Sequence, residues 1–128
     1  MMIAVYGIEA QLNPIKARLS NIIQATLTQV IGLPEDKRAH RFFPMNAEDF
    51  YYPDGRTDAY TVIEINMMTG REIATKKMLI KALFENIERE LNIKPINIEI
   101  TIKEQPAHCW GFRDITGDEA QDLKYKVN

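Results

Sequence analysis

The chain has 128 residues, 45% apolar and 27% charged, with a formal net charge of −2. That is the composition of one ordinary globular domain, and the small negative charge argues against a concentrated basic surface of the kind that neutralises nucleic-acid phosphates. A lone cysteine, Cys109, makes no internal bridge, which points to a reducing, cytoplasmic setting.

The first eight residues are apolar but have no basic lead and no cleavage site, and Glu9 follows at once. They read as a strand, about 3–7, rather than a leader. No later apolar run reaches the ~20 residues needed to span a bilayer, so no membrane partner is expected.

From Leu12 onward, Ile15, Leu19, Ile22, Ile23, Thr26, Leu27 and Val30 recur at helical spacing. The spacing predicts a helix with Asn13 as its N-cap, Pro14 in its first turn, and Gly32 and Pro34 just past its end. A strand follows at about 39–45. The segment 46–58 carries the aromatic run Phe50, Tyr51 and Tyr52 and a turn at Pro53-Asp54-Gly55. The next strand, about 60–68, places Glu64 and Asn66 among apolar neighbours, so one sheet face is expected to be solvated or covered by groups that satisfy them.

Thr69-Gly70-Arg71-Glu72 has the pattern of a capping box and predicts a second helix whose first turn holds Arg71. Its inner face is expected to be Ile73, Ile80, Leu83, Phe84, Ile87 and Leu91, with an exit at Asn92 and Pro95. The last strand, about 96–103, alternates Ile96, Ile98, Ile100 and Ile102 against polar residues. Each half reads strand, helix, strand, and the two exits resemble each other. We expect one domain over 1–128, with pseudo-repeats at about 1–45 and 58–104 and a tail at 105–128. A duplicated βαβ unit of this kind is an α+β fold: a four-stranded sheet with two helices on one face.

The repeated plan, the segment from Leu33 to Pro44, the pair Gly70-Arg71, and His108-Cys109-Trp110-Gly111-Phe112 together resemble the tautomerase superfamily, near its malonate-semialdehyde-decarboxylase-like branch. The resemblance implies a homotrimer with sheets facing inward and sites near subunit boundaries. It also implies a proline amine at the chain start that moves protons between carbon and oxygen of keto or enol acids. Here the chain opens Met1-Met2-Ile3. The α-amine of Met1 has an ordinary pKa near ~7.7–8.0 and can serve as a base in its neutral fraction, or Met1 is simply the start of a strand.

Arg71 matches an arginine that the branch uses to hold a carboxylate; the alternative is an ion pair with Glu72, Glu64 or a neighbouring subunit. The branch's second arginine and its acidic residue are replaced by Thr69 and Lys37, which puts decarboxylation in doubt, and Asp36 substitutes only if its loop shifts. Arg38, His40 and Arg41 are further cations for an anion pocket, although His40 and Arg41 point to opposite sides of a strand. Trp110 and Phe112 match the branch's aromatic wall, where core packing is the competing role. His108 and Cys109 do not form a metal site with His40 alone, and no cofactor is expected.

Three functions are compatible with these residues. One is a weak keto–enol isomerase binding a small carboxylate through Arg71 and using the Met1 amine. Another is a non-catalytic binding or assembly protein on the same scaffold. The third is a ferredoxin-like regulatory domain.

Overall fold

A computed structural model describes residues 1–120; the last eight residues of the expected tail lie outside the described residues. Four strands form one sheet in the order β2-β1-β3-β4: β1 (Met2–Ile8), β2 (His40–Met45), β3 (Thr61–Met68) and β4 (Ile98–Gln105). β1 runs parallel to β2, β3 runs parallel to β4, and the two pairs meet antiparallel along β1 and β3. A helix joins each parallel pair, α2 (Lys16–Ile31) in the first half and α3 (Ile73–Leu91) in the second. The expected α+β sheet with two helices on one face is therefore what the chain adopts.

Strand alternation explains which face the helices cover. Ile3 and Val5 lie opposite Ile65 and Ile63, and these residues with Met67 are 0–1% exposed. Leu19, Ile23 and Leu27 from α2 and Leu79, Leu83 and Ile87 from α3 close over them, each equally buried. Burial of one such side chain stabilises by roughly 1.5–3 kcal/mol, so this layer dominates the fold's stability.

The open face is held by polar groups within the chain. Glu64 accepts hydrogen bonds from the Tyr6 hydroxyl (2.9 Å) and from Lys103 Nζ (2.7 Å), and the lysine contact holds its carboxyl below the usual range. The Asn66 amide donates to the Met2 carbonyl at 3.2 Å. The Tyr6 ring stacks on Phe43 at 4.9 Å, yet Phe43 remains 45% exposed.

Four local expectations need correction. The first helical stripe is broken in two: α1 (Glu9–Leu12) ends at Asn13, and α2 starts only at Lys16. Pro14 has no N–H to continue the ladder, so the Ile15 amide closes a tighter turn to the Leu12 carbonyl (3.1 Å). Asn13 thus ends a short helix instead of capping a long one.

The capping box also does not form. The Thr69 amide continues the sheet ladder to the Gln105 carbonyl (3.0 Å), and Gly70 turns with φ 132°. Glu72 is the N-cap without a side-chain hydrogen bond, so Arg71 precedes the helix rather than sitting in its first turn. Ile73 is 69% exposed because, six residues before Leu79 at 100° per residue, it points about 120° off the buried stripe. Ile96 is 55% exposed because it belongs to the 3-10 turn Pro95–Asn97, ahead of β4.

The two helix exits do match each other. Gly32 and Asn92 both adopt the left-handed conformation, with φ 68° and 55°, and a proline then leads each chain into a 3-10 turn and the next strand. No helix among the described residues is long and apolar enough to cross a membrane.

Candidate active site

The start of β1 is pinned from two sides. The Ile3 amide donates to the Ala39 carbonyl (2.9 Å) on the β2 side, and Met2 pairs with Asn66 on the β3 side. Met1 is therefore held at the end of the sheet where β1 and β2 begin and β3 ends, half-buried against the core.

A cleft of about 230 Å³ opens there. Met1, Leu33 and Phe112 supply its apolar wall, while Asp36, Lys37, Arg38 and Arg113 supply charge. Among the described residues that line it, three are cations and one is a carboxylate.

The Met1 amine has its pKa lowered from the ordinary 8.0, first by burial and then by the charge of Arg71. Arg71, from the β3–α3 connection, is 7% exposed. Lowering the pKa enlarges the neutral, proton-accepting fraction at neutral pH.

Arg38 is braced from α2: its Nη1 donates to Asn21 Oδ1 at 2.8 Å and to Ser20 Oγ at 3.4 Å. His40 lies on the helix-covered face, opposite Ile3, with Nδ1 2.8 Å from Ser20 Oγ. It is not among the residues lining the cleft. Burial, with a smaller contribution from the Arg38 charge, lowers its pKa to about 4.

The lowered His40 pKa carries a stability consequence. Between about pH 6.5 and 4 the unfolded chain binds the proton and the folded one does not, so stability falls as pH drops through that window. Urea unfolding at pH 7 and pH 5 is expected to show wild type losing about 1 kcal/mol more than His40→Asn, after allowance for solvent screening. Equal losses in the two proteins would remove His40 as the cause.

Of the aromatic pair expected as a wall, Phe112 lines the cleft and Trp110 does not. Trp110 Nε1 donates to the Gln105 carbonyl (3.2 Å), anchoring the turn after β4. His108 and Cys109 are exposed in the 3-10 turn Ala107–Cys109. Arg41 points to the open face, in register with Ala4.

Asp36 and Lys37 both line the cleft from the 3-10 turn Glu35–Lys37. Arg113 was not singled out from the sequence. The available signal was an Arg-Asp pair between two short alternating segments, which here forms a hairpin of β5 (Gly111–Phe112) and β6 (Ile115–Thr116).

The family model described as "Tautomerase enzyme" matches residues 37–113, and the chain belongs to that family. Its fold is shared with a malonate semialdehyde decarboxylase inhibited by 3-bromopropiolate (TM-score 0.79, 19% identity, 88% of each chain). It is shared equally with a member of the cis-3-chloroacrylic acid dehalogenase family (TM-score 0.82, 14% identity, 97% of this chain and 88% of that one). A native fused 4-OT gives a TM-score of 0.82 at 21% identity over 92% of this chain and 97% of its own. The family resemblance read from the sequence is thereby established.

Proposed function

We propose that the chain is a keto–enol isomerase for a small keto or enol carboxylate, with the Met1 α-amine as its proton-transfer group and Arg71 as its anion anchor. The observation that carries this reading is a half-buried amine, its pKa lowered by burial and by Arg71, at a cleft lined by Lys37, Arg38 and Arg113. Membership of the tautomerase family supports it.

In the proposed reaction the neutral amine accepts the enol hydroxyl proton, leaving an enolate whose negative charge the surrounding cations stabilise. The ammonium then returns that proton to carbon, the new C–H bond replaces the O–H bond, and the carbonyl forms with no net redox change. Phe112 and Leu33 exclude water from one side of the cleft, which strengthens the interaction between anion and guanidinium.

Arg71→Ala is expected to lower kcat/KM for ketonisation of an aryl-enolpyruvate by about 10- to 100-fold, read as loss of enol absorbance. Activity unaffected both by this change and by blocking the amine would remove the assigned roles. Thermal stabilisation by the ligand without turnover would instead assign a binding protein on this scaffold.

We also propose a homotrimer. A fused 4-OT described as an asymmetric trimer shares the fold (TM-score 0.82, 24% identity), and the open sheet face with its half-exposed Phe43 suits inward packing.

A further inference from the structure

A second aromatic-lined hollow lies at the end of the sheet away from Met1. β1 and β2 pair from Ile3 and His40, and β3 and β4 pair from Thr61 and Ile98, so the start of β3 stands at this end where the start of β1 stands at the other. β2 leads into the 3-10 turn Ala47–Asp49 just as β4 leads into the 3-10 turn Ala107–Cys109. Tyr52 therefore follows its turn at the same spacing as Phe112, the aromatic of the Met1 cleft.

The chemistry of the two ends differs. Ala59 takes the position of Met1 here, and its nitrogen is an amide within the chain, which accepts no proton. The hollow, of about 470 Å³, is lined by Phe50, Tyr51 and Tyr52 together with the carboxylates Glu48 and Asp58, and no cation is among the described residues that line it. Arg56 is close in sequence but donates to the Asp54 carbonyl at 2.7 Å.

The segment that carries these groups is firmly held. Asn97 Oδ1 accepts from the Thr57 amide (2.9 Å), its Nδ2 donates to Thr57 Oγ1 (3.1 Å), and Gln11 Nε2 donates to Asp58 Oδ2 (3.2 Å). The Tyr52 ring stacks at 5.7 Å on Tyr60, which is itself buried. On this base Tyr51 is 89% exposed, so its ring contributes little to the core. Aromatic rings grouped around a hollow and rimmed by charged groups have the composition of a binding surface.

Charge complementarity fixes the sign of the occupant, because the negative faces of aromatic rings and two carboxylates all favour a cation. A metal ion is a poor match: no group of three or more metal-ligating side chains occurs among the described residues, and the rings offer hydrocarbon where an ion needs oxygen. We propose that this hollow is a second ligand site, separate from the Met1 cleft, that takes a small arylalkylammonium, with Tyr51 and Tyr52 against its apolar body and Glu48 and Asp58 opposing its charge. The site requires no chemistry at Met1.

Calorimetric titration of the full chain with benzylammonium and benzyl alcohol, alike in shape and different in charge, tests this site. Wild type is expected to bind benzylammonium about tenfold more tightly, with the difference shrinking in high salt. Tyr51→Ala, at an exposed position, is expected to keep the urea midpoint and to weaken benzylammonium binding about three- to tenfold. Glu48→Gln combined with Asp58→Asn keeps an acceptor for Gln11 while removing both charges, and is expected to bring the two ligands to equal affinity. Phe112→Ala, at the other end of the sheet, is expected to leave benzylammonium binding unchanged. Equal affinities in wild type, no binding of benzylammonium, an undiminished affinity in Tyr51→Ala, or a loss seen only in Phe112→Ala would each overturn the site.

Discussion

Chemical acetylation of the Met1 amine is expected to lower kcat/KM for aryl-enolpyruvate ketonisation by about a hundredfold or more, because an amide nitrogen cannot accept a proton. Intact mass before and after treatment would establish that a free amine was present and then blocked. The pH dependence follows from the direction of the shift. The neutral amine is the working base, so kcat/KM rises with pH through the amine's lowered pKa, with its midpoint below 8.0.

Arg71→Ala should move that midpoint upward, since removing a nearby cation eases protonation; the move is small because burial is the larger cause. The same lowering has a consequence for folding. In the window between the folded and unfolded pKa values the unfolded chain binds more protons, so the amine's contribution to stability grows as pH rises towards 8. An activity profile unchanged by acetylation would exclude Met1 from proton transfer.

Gly117→Ala is expected to dislodge the hairpin and the Phe112–Arg113 wall with it. A Cβ at this position would meet the backbone carbonyl of Ala107, Met68 Cε at 2.6 Å and Trp110 Cβ at 3.1 Å. The methionine tip can move, but the carbonyl cannot without displacing the 3-10 turn that carries it. Overpacking of this kind costs about 1–3 kcal/mol. Trp110, the single tryptophan, should report it as a red-shifted emission, accompanied by a lower urea midpoint. Gly111→Ala is the matched control, because there a Cβ meets only the Ile115 carbonyl at 3.9 Å. Equal behaviour of the two variants would show that the hairpin does not depend on the close approach at Gly117.

Much of the scaffold was legible because its signals are local. The stripe through Leu19, Ile23 and Leu27 and the alternation of Ile98, Ile100 and Ile102 each encode one buried face by spacing alone. Helix exits at Gly32 and Asn92 were legible for the same reason, since a left-handed terminal residue is a one-residue requirement. The capping box failed because its threonine had a competing partner, the Gln105 carbonyl, 36 positions further along the chain. Asn13 failed because Pro14 divided a continuous apolar stripe into two helices.

The candidate site was legible only in part, for a related reason. Met1, Arg38 and Phe112 were candidates from the sequence and line one cleft, with Arg71 near enough to influence the amine. His40 and Trp110 were candidates too, but strand alternation turns His40 toward Ser20, and a hydrogen bond holds Trp110 to the end of β4. Asp36, Lys37 and Arg113 sit on turns, where a charged side chain carries no periodic signal to distinguish a cleft from open solvent.

Amino-acid order alone determined two βαβ halves and their apolar faces, because those properties follow from local spacing along the chain. Only the assembled sheet decided that the beginning of β1, the turn before β2, the connection before α3 and the β5–β6 hairpin converge. Their separation along the chain hides that convergence. The pairing of β1 between β2 and β3 brings them to one end of the sheet, where charge and burial act across space.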